Sequence, residues 1–411
     1  MSGTRAHPDV DIVVAGGGMV GTTLAIALAP LGLRVALVEA VGRGATAQPS
    51  FDERSTALSR SSQRLFEALG LWEAIADAAT PIRAIRVSDR GRFGFAHIDA
   101  DEQGVEALGY VVINRVLGDV LQAALSSLPT VTSICPARVA AVSTTASAVE
   151  IDIAGDDAHR LRARLLVAAD GARSSVRDLL GITATERDYR QRAIVGNLRP
   201  GVAHENVAWE RFTDDGPLAL LPFGPDRAAF IWTVAESDAE RVLALPDEPF
   251  LAELQERFGT RLGRLAAVSP RAAYPLRLSK ALRIHATRAV LVGNAAHGLH
   301  PVAAQGFNLG LRDVAALCDC IADARQAGED LGGSALCERY AEWRRSDQQK
   351  LVTLTDGLVS VFGAPGARAG ALRDIGMLGF DLVPGLRREF ARHAMGLAGR
   401  LPRLSRGVPV R

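Results

Sequence analysis

Lysine is nearly missing from this chain of 411 residues: of 47 lysines and arginines, only Lys280 and Lys350 are lysine. Base composition rather than chemistry accounts for this. Acidic residues number 46, so the formal net charge is +1. No global field of the kind that gathers nucleic acid is expected. No apolar, uncharged run reaches ~18 residues, so no spanning helix is expected. Met1 to Val10 is short and polar, without a charged-then-apolar leader before the first strand. Cysteine is scarce: Cys135, Cys318, Cys320 and Cys337. The Cys318/Cys320 pair is C-x-C, with no C-x-x-C pair and no histidine at metal spacing, so the reading is free, buried thiols in a reducing cytosol, with no zinc. A second dinucleotide-type glycine motif is missing, as is a nucleophile elbow, which removes support for hydrolysis. These absences together suggest a cytoplasmic protein, soluble or peripheral at the inner face of the plasma membrane.

What is present is ordinary in bulk, with 48% apolar and 23% charged residues. The length suits two or three subdomains. Near the start, an apolar run (Asp11 to Val14) leads into Gly16-x-Gly18-x-x-Gly21. A helical stretch and a second apolar run (Arg34 to Glu39) follow. This is a strand, glycine turn, helix and strand, a βαβ unit. Two more apolar strands, Leu165 to Ala169 and Ala289 to Val292, return to the same domain. Between them the pattern shifts to short segments such as Leu218 to Phe223 and Ala228 to Val234, split by Gly, Pro and Asp. The fold class expected is α/β: a doubly wound Rossmann-type domain interleaved with a mainly antiparallel β domain, plus C-terminal helices. The first domain takes residues 1–80, 105–184 and 276–340. The β domain takes 81–104 and 185–275, and residues 341–411 form a helical region broken by glycines from Gly363 to Gly370.

Each glycine of the first motif has a physical task. Gly16 permits a tight turn, Gly18 lets a pyrophosphate approach the backbone, and Gly21 lets helix and strand pack closely. The helix N-terminus, with Met19 and Val20, then offers free N–H groups and a partial positive charge to the phosphates. Glu39 ends the second strand where a carboxylate accepts from ribose hydroxyls. Asp170 and Gly171 end a third strand at the edge of the same crevice. Gly293 and Asn294 end a fourth, the amide oxygen being an acceptor for a polyol hydroxyl.

The segments 168–177 (A-A-D-G-A-R-S-S-V-R) and 291–313 (L-V-G-N-A-A-H-G-L-H-P-V-A-A-Q-G-F-N-L-G-L-R-D) resemble the flavoprotein aromatic hydroxylases of the para-hydroxybenzoate hydroxylase fold. The closer resemblance is to the FAD-dependent hydroxylases of ubiquinone biosynthesis. Phe51 to Leu58, Arg211 to Thr213, Gly216 to Pro222 and the tail from Arg344 to Gly407 also look like that family, so nearly the whole chain is covered. The resemblance makes FAD the cofactor and NAD(P)H a transient donor docking over the flavin. Gly16, Gly18, Met19, Val20, Gly21, Glu39, Asp170, Gly171, Gly293 and Asn294 become flavin-nucleotide contacts. Arg54 and Arg115 match positions that meet its phosphate or ribose. Pro301, Gln305, Gly306, Phe307 and Asn308 would run under the flavin ring, where helix N–H groups stabilise negative charge. His297, His300 and Pro301 would lie near the reacting face, a histidine there orienting substrate or relaying a proton. Leu221 and Phe223 would meet the substrate.

Two positions depart from the family pattern. Asn294 stands where most relatives carry Asp, and this leans towards the branch acting on polyprenyl-methoxyphenols. Ala304 stands where Gly is usual. The implied reaction hydroxylates the ring of a polyprenylated phenol with O2 through a flavin hydroperoxide. Two other readings stand beside it: a catabolic hydroxylase of a small soluble phenol, and a non-catalytic flavin-binding subunit of an assembly of quinone-biosynthesis enzymes. Leu386, Phe390, Leu397 and Leu401 fall at roughly helical spacing among arginines. They form either an apolar face packed on the core or a basic amphipathic surface for anionic lipid.

Overall fold

The computed structural model describes residues 8–42, 54–91, 95–156, 158–298, 305–363 and 383–411, with backbone alone at 305, 350–363 and 384. Its centre is a sheet with five adjacent parallel strands. In spatial order these are Val131–Ile134, Val35–Val38, Val10–Ala15, His159–Ala168 and Ala289–Leu291. The order reverses at Val10–Ala15, whose neighbours lead away in opposite directions. The crevice outside the C-terminal ends of strands at such a reversal is where open α/β sheets bind ligands. Ile12, Val13 and Val14 are fully buried, as expected of central parallel strands covered on both faces.

The first helix, Met19–Leu28, is buried from Gly21 to Leu28. It packs against the Asn114–Ser126 and Gln305–Gln326 helices as well as the sheet. Such a helix can carry apolar residues all round. Its two buried threonines are satisfied locally, Thr22 Oγ1 donating to the Gly17 carbonyl at 2.9 Å and Thr23 Oγ1 to the Met19 carbonyl at 2.6 Å. Pro30 follows in the 3₁₀ turn Ala29–Leu31, and the regular helix stops at Leu28.

A nine-stranded sheet among the described residues supplies the second layer, built around Ala184–Arg199, Arg227–Ala235, Gly216–Phe223 and Val207–Thr213. Its pairings are antiparallel except that between Val207–Thr213 and Ala84–Asp89. The strand Ala272–Ala281 and the two-residue strand His297–Gly298 also belong to it. Helices Glu236–Ala244 and Asp247–Phe258 cover one face, where Trp232, Phe230, Phe250 and Phe258 form an aromatic core. A third, small sheet was not anticipated from the sequence: Ser55–Ser59 and Thr80–Ile82 flank Gly109–Ile113.

The tail is less helical than its composition suggests. Pro384–Ala394 is a helix, but Gly396 adopts φ +70° and ends it. Leu397 and Leu401 therefore leave the helical stripe. Ala391 and Met395 are buried with Ile98, Ala100 and Leu108, and Phe390 and Leu397 pack beside them, while Leu386 stays exposed. Several tail arginines are engaged: Arg387 with Glu102, Arg392 with Glu389, Arg403 with Asp319 and Asp323, and Arg400 over the Trp343 ring. Most of the glycine-rich break expected at 363–370 lies outside the described residues. Cys318, Cys320 and Cys337 are buried and Cys135 half-buried, all as free thiols.

Candidate active site

Four of the sequence motifs arrive together at the C-terminal ends of four adjacent parallel strands. Backbone bonds fix their register: Gly16 N–H to Val38 O at 2.8 Å, Ala169 N–H to Ala15 O at 2.7 Å, and Val292 N–H to Ala168 O at 2.9 Å. Gly16 has φ +107°, and a Cβ there would lie 2.4 Å from the Ala169 carbonyl oxygen. A Cβ on Gly21 would lie 1.9 Å from the Gly16 carbonyl oxygen. Neither position accepts a side chain. Gly18 is the N-cap of the Met19–Leu28 helix, with no side-chain cap and no acidic residue in the first turn. That leaves N–H donors and the positive end of the helix dipole open to an anion.

Glu39 closes this cradle. Its Oε2 accepts from Gly17 N–H at 2.5 Å and its Oε1 from Val41 N–H at 2.8 Å. A carboxylate has about four acceptor sites, so capacity remains for a ribose hydroxyl. The donor set and the side-chain-free cradle fit a dinucleotide such as FAD.

Asp170 is occupied locally. Its carboxylate accepts from Ser174 Oγ, from Ser175 Oγ at 3.3 Å and from Val176 N–H at 3.1 Å, which anchors the Ser175–Leu179 helix. Gly171 beside it has φ +85°. Arg173 is exposed, but Arg177 is not. It is buried, and its Nη1 donates to the Ala172 and Ala295 carbonyls at 3.2 and 3.3 Å. It thereby ties the Asp170 loop to the Asn294 loop.

Asn294 is exposed in the turn Gly293–Ala295. Gly293 has φ +59°, and a Cβ there would press on Val20 at 3.2 Å; a Cβ on Gly310 would press on it at 3.1 Å. Val20 thus fills the joint between the first helix, this turn and the Gln305–Gln326 helix. That fit makes Gly310 a further small-residue position that sequence reasoning passed over.

The Gln305–Gln326 helix begins with Gln305 and Gly306, where a Cβ would meet nothing within 4 Å. Phe307 packs half-buried on the main core. Asn308 is buried: its Oδ1 accepts from Ser59 N–H at 2.8 Å and Ser62 Oγ at 2.7 Å, and its Nδ2 donates to the Ala57 carbonyl at 2.8 Å. The side chain therefore fastens the helix to the Ser55–Ser59 strand. Asn308→Ala is expected to cost about 3 kcal/mol, near 1 kcal/mol for each of three bonds. Urea denaturation would measure this, and a loss under about 1 kcal/mol would argue against that fastening role. His300 and Pro301, with the Ala303–Ala304 turn, lie outside the described residues.

His297 is 1% exposed, and its Nε2 donates to Asp313 Oδ2 at 2.7 Å. No described residue bonds its Nδ1. With Nε2–H committed to a carboxylate, Nδ1 is the ring nitrogen left for another partner. Asp313 and Arg344 are both 0% exposed and meet at 2.6 Å. Burial works to raise the Asp313 carboxyl, but His297 and Arg344 outweigh it and hold the group at about 2. This cluster was missed as chemistry. Its signal was an acid on the core-facing stripe with Leu309, Leu317 and Ile321.

Arg54 and Arg115 come to one edge. The Asn114 N–H donates to the Arg54 carbonyl at 2.8 Å, and Ser55 pairs with Ile113. The Arg54 guanidinium lies over the Tyr274 ring at 4.5 Å, and Arg115 is 3.6 Å from Asp119. Leu221 and Phe223 pack with Ala57, Ile82, Val111 and Ile113, between the nine-stranded sheet and the small sheet. Phe223 is buried under Arg227. These two side chains thus back the strand that follows Arg54.

Residues 9–355 match the FAD binding domain family. The chain is 40% identical over 404 residues to the ubiquinone hydroxylase UbiL of Rhodospirillum rubrum, covering 97% of this chain and 93% of that protein. It is 32% identical to the 3-demethoxyubiquinol 3-hydroxylase of Escherichia coli, covering 94% and 98%. The crystal structure of p-nitrophenol 4-monooxygenase from Pseudomonas putida superposes with a TM-score of 0.76 at 19% identity, over 95% of this chain and 98% of that one, a likeness of fold.

Proposed function

The chain belongs to the FAD binding domain family, and on that premise we propose that it is an FAD-dependent monooxygenase hydroxylating the aromatic ring of a polyprenylated phenol in ubiquinone biosynthesis. NAD(P)H is the transient electron donor and O2 the oxidant. The observation that carries this reading is the extent of the likeness to UbiL. At 97% of this chain and 93% of the relative, it takes in the nine-stranded sheet as well as the cofactor cradle.

When bound, FAD supplies the redox chemistry and the activation of O2. The residues bind, orient and exclude water. The uncapped helix at Gly18, Met19, Val20 and Gly21 takes the pyrophosphate, and Glu39 takes ribose hydroxyls. Asn294, exposed at its strand end, would offer an acceptor to the ribityl chain, and the N-terminus of the Gln305–Gln326 helix would stabilise negative charge on the reduced ring. Arg54 and Arg115, with Asp170 and Gly171, are assigned to the same cofactor. The division into a cofactor domain (1–80, 105–184, 276–340), a substrate domain (81–104, 185–275) and a C-terminal region (341–411) is part of the proposal, as is substrate contact at Leu221 and Phe223.

His297, His300 and Pro301 are assigned to the reacting face. For His297 the support is its unpartnered, buried Nδ1 beside the turn that carries Asn294. A buried nitrogen left for another partner is suited to hold a proton taken from a phenol. A polyprenyl substrate resides in the bilayer. No helix among the described residues is long and apolar enough to cross a membrane. Peripheral contact is the reading for delivery, supported by exposed Val383, Leu386 and Arg388 on and beside the Pro384–Ala394 helix.

Lipid extracts from cells lacking the gene test the assignment. One polyprenylated phenol is expected to accumulate while ubiquinone is lost, and mass spectrometry of that phenol names the carbon left unhydroxylated. Unchanged ubiquinone without such an intermediate would sink the quinone reading.

A further inference from the structure

One buried carboxylate holds the Gly293–His297 turn from beneath. Asp313 Oδ2 accepts from Gly293 N–H at 2.9 Å and from His297 Nε2 at 2.7 Å. Its two partners flank Asn294, Gly293 opening the turn and His297 beginning the strand just after it, so a single atom holds both sides of the segment that presents Asn294. The other oxygen, Oδ1, takes Arg344 Nε at 2.6 Å and Gln348 Nε2 at 3.3 Å.

The chain of contacts continues away from the turn. Asp347 Oδ2 accepts from Arg344 Nη1 and Arg312 Nη2, each at 2.6 Å, and Arg312 Nη2 also donates to the Ala398 carbonyl at 2.9 Å. Gly399 follows at φ +78°, where a Cβ would lie 3.0 Å from Asp347 Oδ1. A second strap runs alongside. The Met395 carbonyl accepts from Ser61 N–H at 3.0 Å, and Ser61 lies between Ser59 and Ser62, the two serines that bind Asn308. The C-terminal segment 395–399 therefore bonds, through Arg312 and through Ser61, to the residues that hold the Gly293–His297 segment and Asn308.

A buried ion pair is a poor device for stability alone, since apolar residues of similar volume serve as well or better. An apolar residue could not accept from the Gly293 N–H. What the carboxylate provides is a fixed place for that turn. We propose that Asp313 is a positioning residue for the flavin, setting the Gly293–His297 turn so that Asn294 meets the cofactor, and that the C-terminal segment reinforces it through Arg312 and Asp347. The proposal rests on the FAD reading above.

Asp313→Asn separates acceptor from donor. The amide NH2 must face either the Gly293 N–H and His297 or the Arg344 guanidinium, and all of these are donors. The matched control is Asp330→Asn, which breaks the Arg288–Asp330 pair just before the opposite end of the same Ala289–Leu291 strand. Apoprotein would be titrated with FAD and the quenching of flavin fluorescence followed, with thermal midpoints recorded beside it. Asp313→Asn is expected to weaken FAD binding about tenfold or more, the scale of one lost charge-assisted bond, and Arg312→Met by about threefold. Asp330→Asn is expected to lower the midpoint and leave the FAD affinity unchanged. The proposal is overturned if folded Asp313→Asn binds FAD like the wild type, or if Asp330→Asn weakens binding as much. Should Asp313→Asn fail to fold, Arg312→Met against Asp330→Asn decides by the same comparison. Wild-type protein that binds no FAD would instead remove the cofactor reading, and the proposal with it.

Discussion

Gly21→Ala is expected to purify without flavin. The added methyl would sit 1.9 Å from the Gly16 carbonyl oxygen and 3.3 Å from Ala169 Cβ. Relief has to come from the backbone, because no flexible side chain is at fault. Gly16 cannot retreat, since its own α-carbon faces the Ala169 carbonyl on the neighbouring strand. The first helix must therefore back away from the turn, and its N-terminal N–H groups move off the phosphates. A hundredfold loss of FAD affinity corresponds to about 2.8 kcal/mol, a modest demand for a displaced pyrophosphate site. The ratio of visible flavin absorbance to protein absorbance in the purified variant measures it. Gly42→Ala, where a Cβ meets nothing within 4 Å, serves as the control that should stay yellow. A yellow Gly21→Ala protein with wild-type affinity would show that the glycine turn does not hold the cofactor.

Arg344→Leu carries the largest expected cost in stability. Arg344 and Asp313 are both fully buried, and Arg344 also binds Asp347. Removing it leaves the fully buried Asp313 without its cationic partner, at about 3–5 kcal/mol for a broken buried pair, while Asp347 keeps Arg312. Denaturant unfolding would read this directly. Adding Asp313→Leu to the variant should restore part of the loss, because the uncompensated charge goes with it. A double variant as unstable as the sum of the single ones would mean the two residues do not act as a pair.

The same pair sets an acid limit. The Asp313 carboxyl, despite burial, is held at about 2 by His297 and Arg344, below its ordinary value of about 3.9. A depressed carboxyl contributes stability that is fully present above the unfolded-state value and is lost as pH falls through the folded-state value. The wild type should therefore show no contribution from this group to pH dependence between neutral pH and about 5, and a loss from about 4 down towards 2. Asp313→Asn should lack that component of the acid limb.

How far the sequence reaches can be seen at particular residues. The βαβ unit was legible because a glycine turn between two apolar runs has few other uses. Gly16, Gly21 and Glu39 fall where the motif puts them, since their constraints are local and lie within 24 residues of chain. The strands 165–169 and 289–292 were legible for the same reason: buried parallel strands are apolar throughout. The tail stayed open between a packed and a lipid-facing apolar face, because spacing alone does not say what covers Leu386, Phe390, Leu397 and Leu401; Gly396, at φ +70°, ends the helix before the last two.

Local chemistry thus determined the cradle: where no side chain fits, where a helix stays uncapped, and which strand ends carry acceptors. Tertiary structure alone decided what the remaining polar residues do. Arg177 takes its role from the turn that lies against it, its Nη1 donating to the Ala295 carbonyl across 118 positions of sequence. Asn308 joins Ser59 across 249 positions of sequence, and Asp313 joins Arg344 across 31. Spacing along one helix or strand can be read from sequence, because the backbone repeat fixes it. Partnerships between distant segments depend on how sheets and helices pack, and no local repeat encodes that.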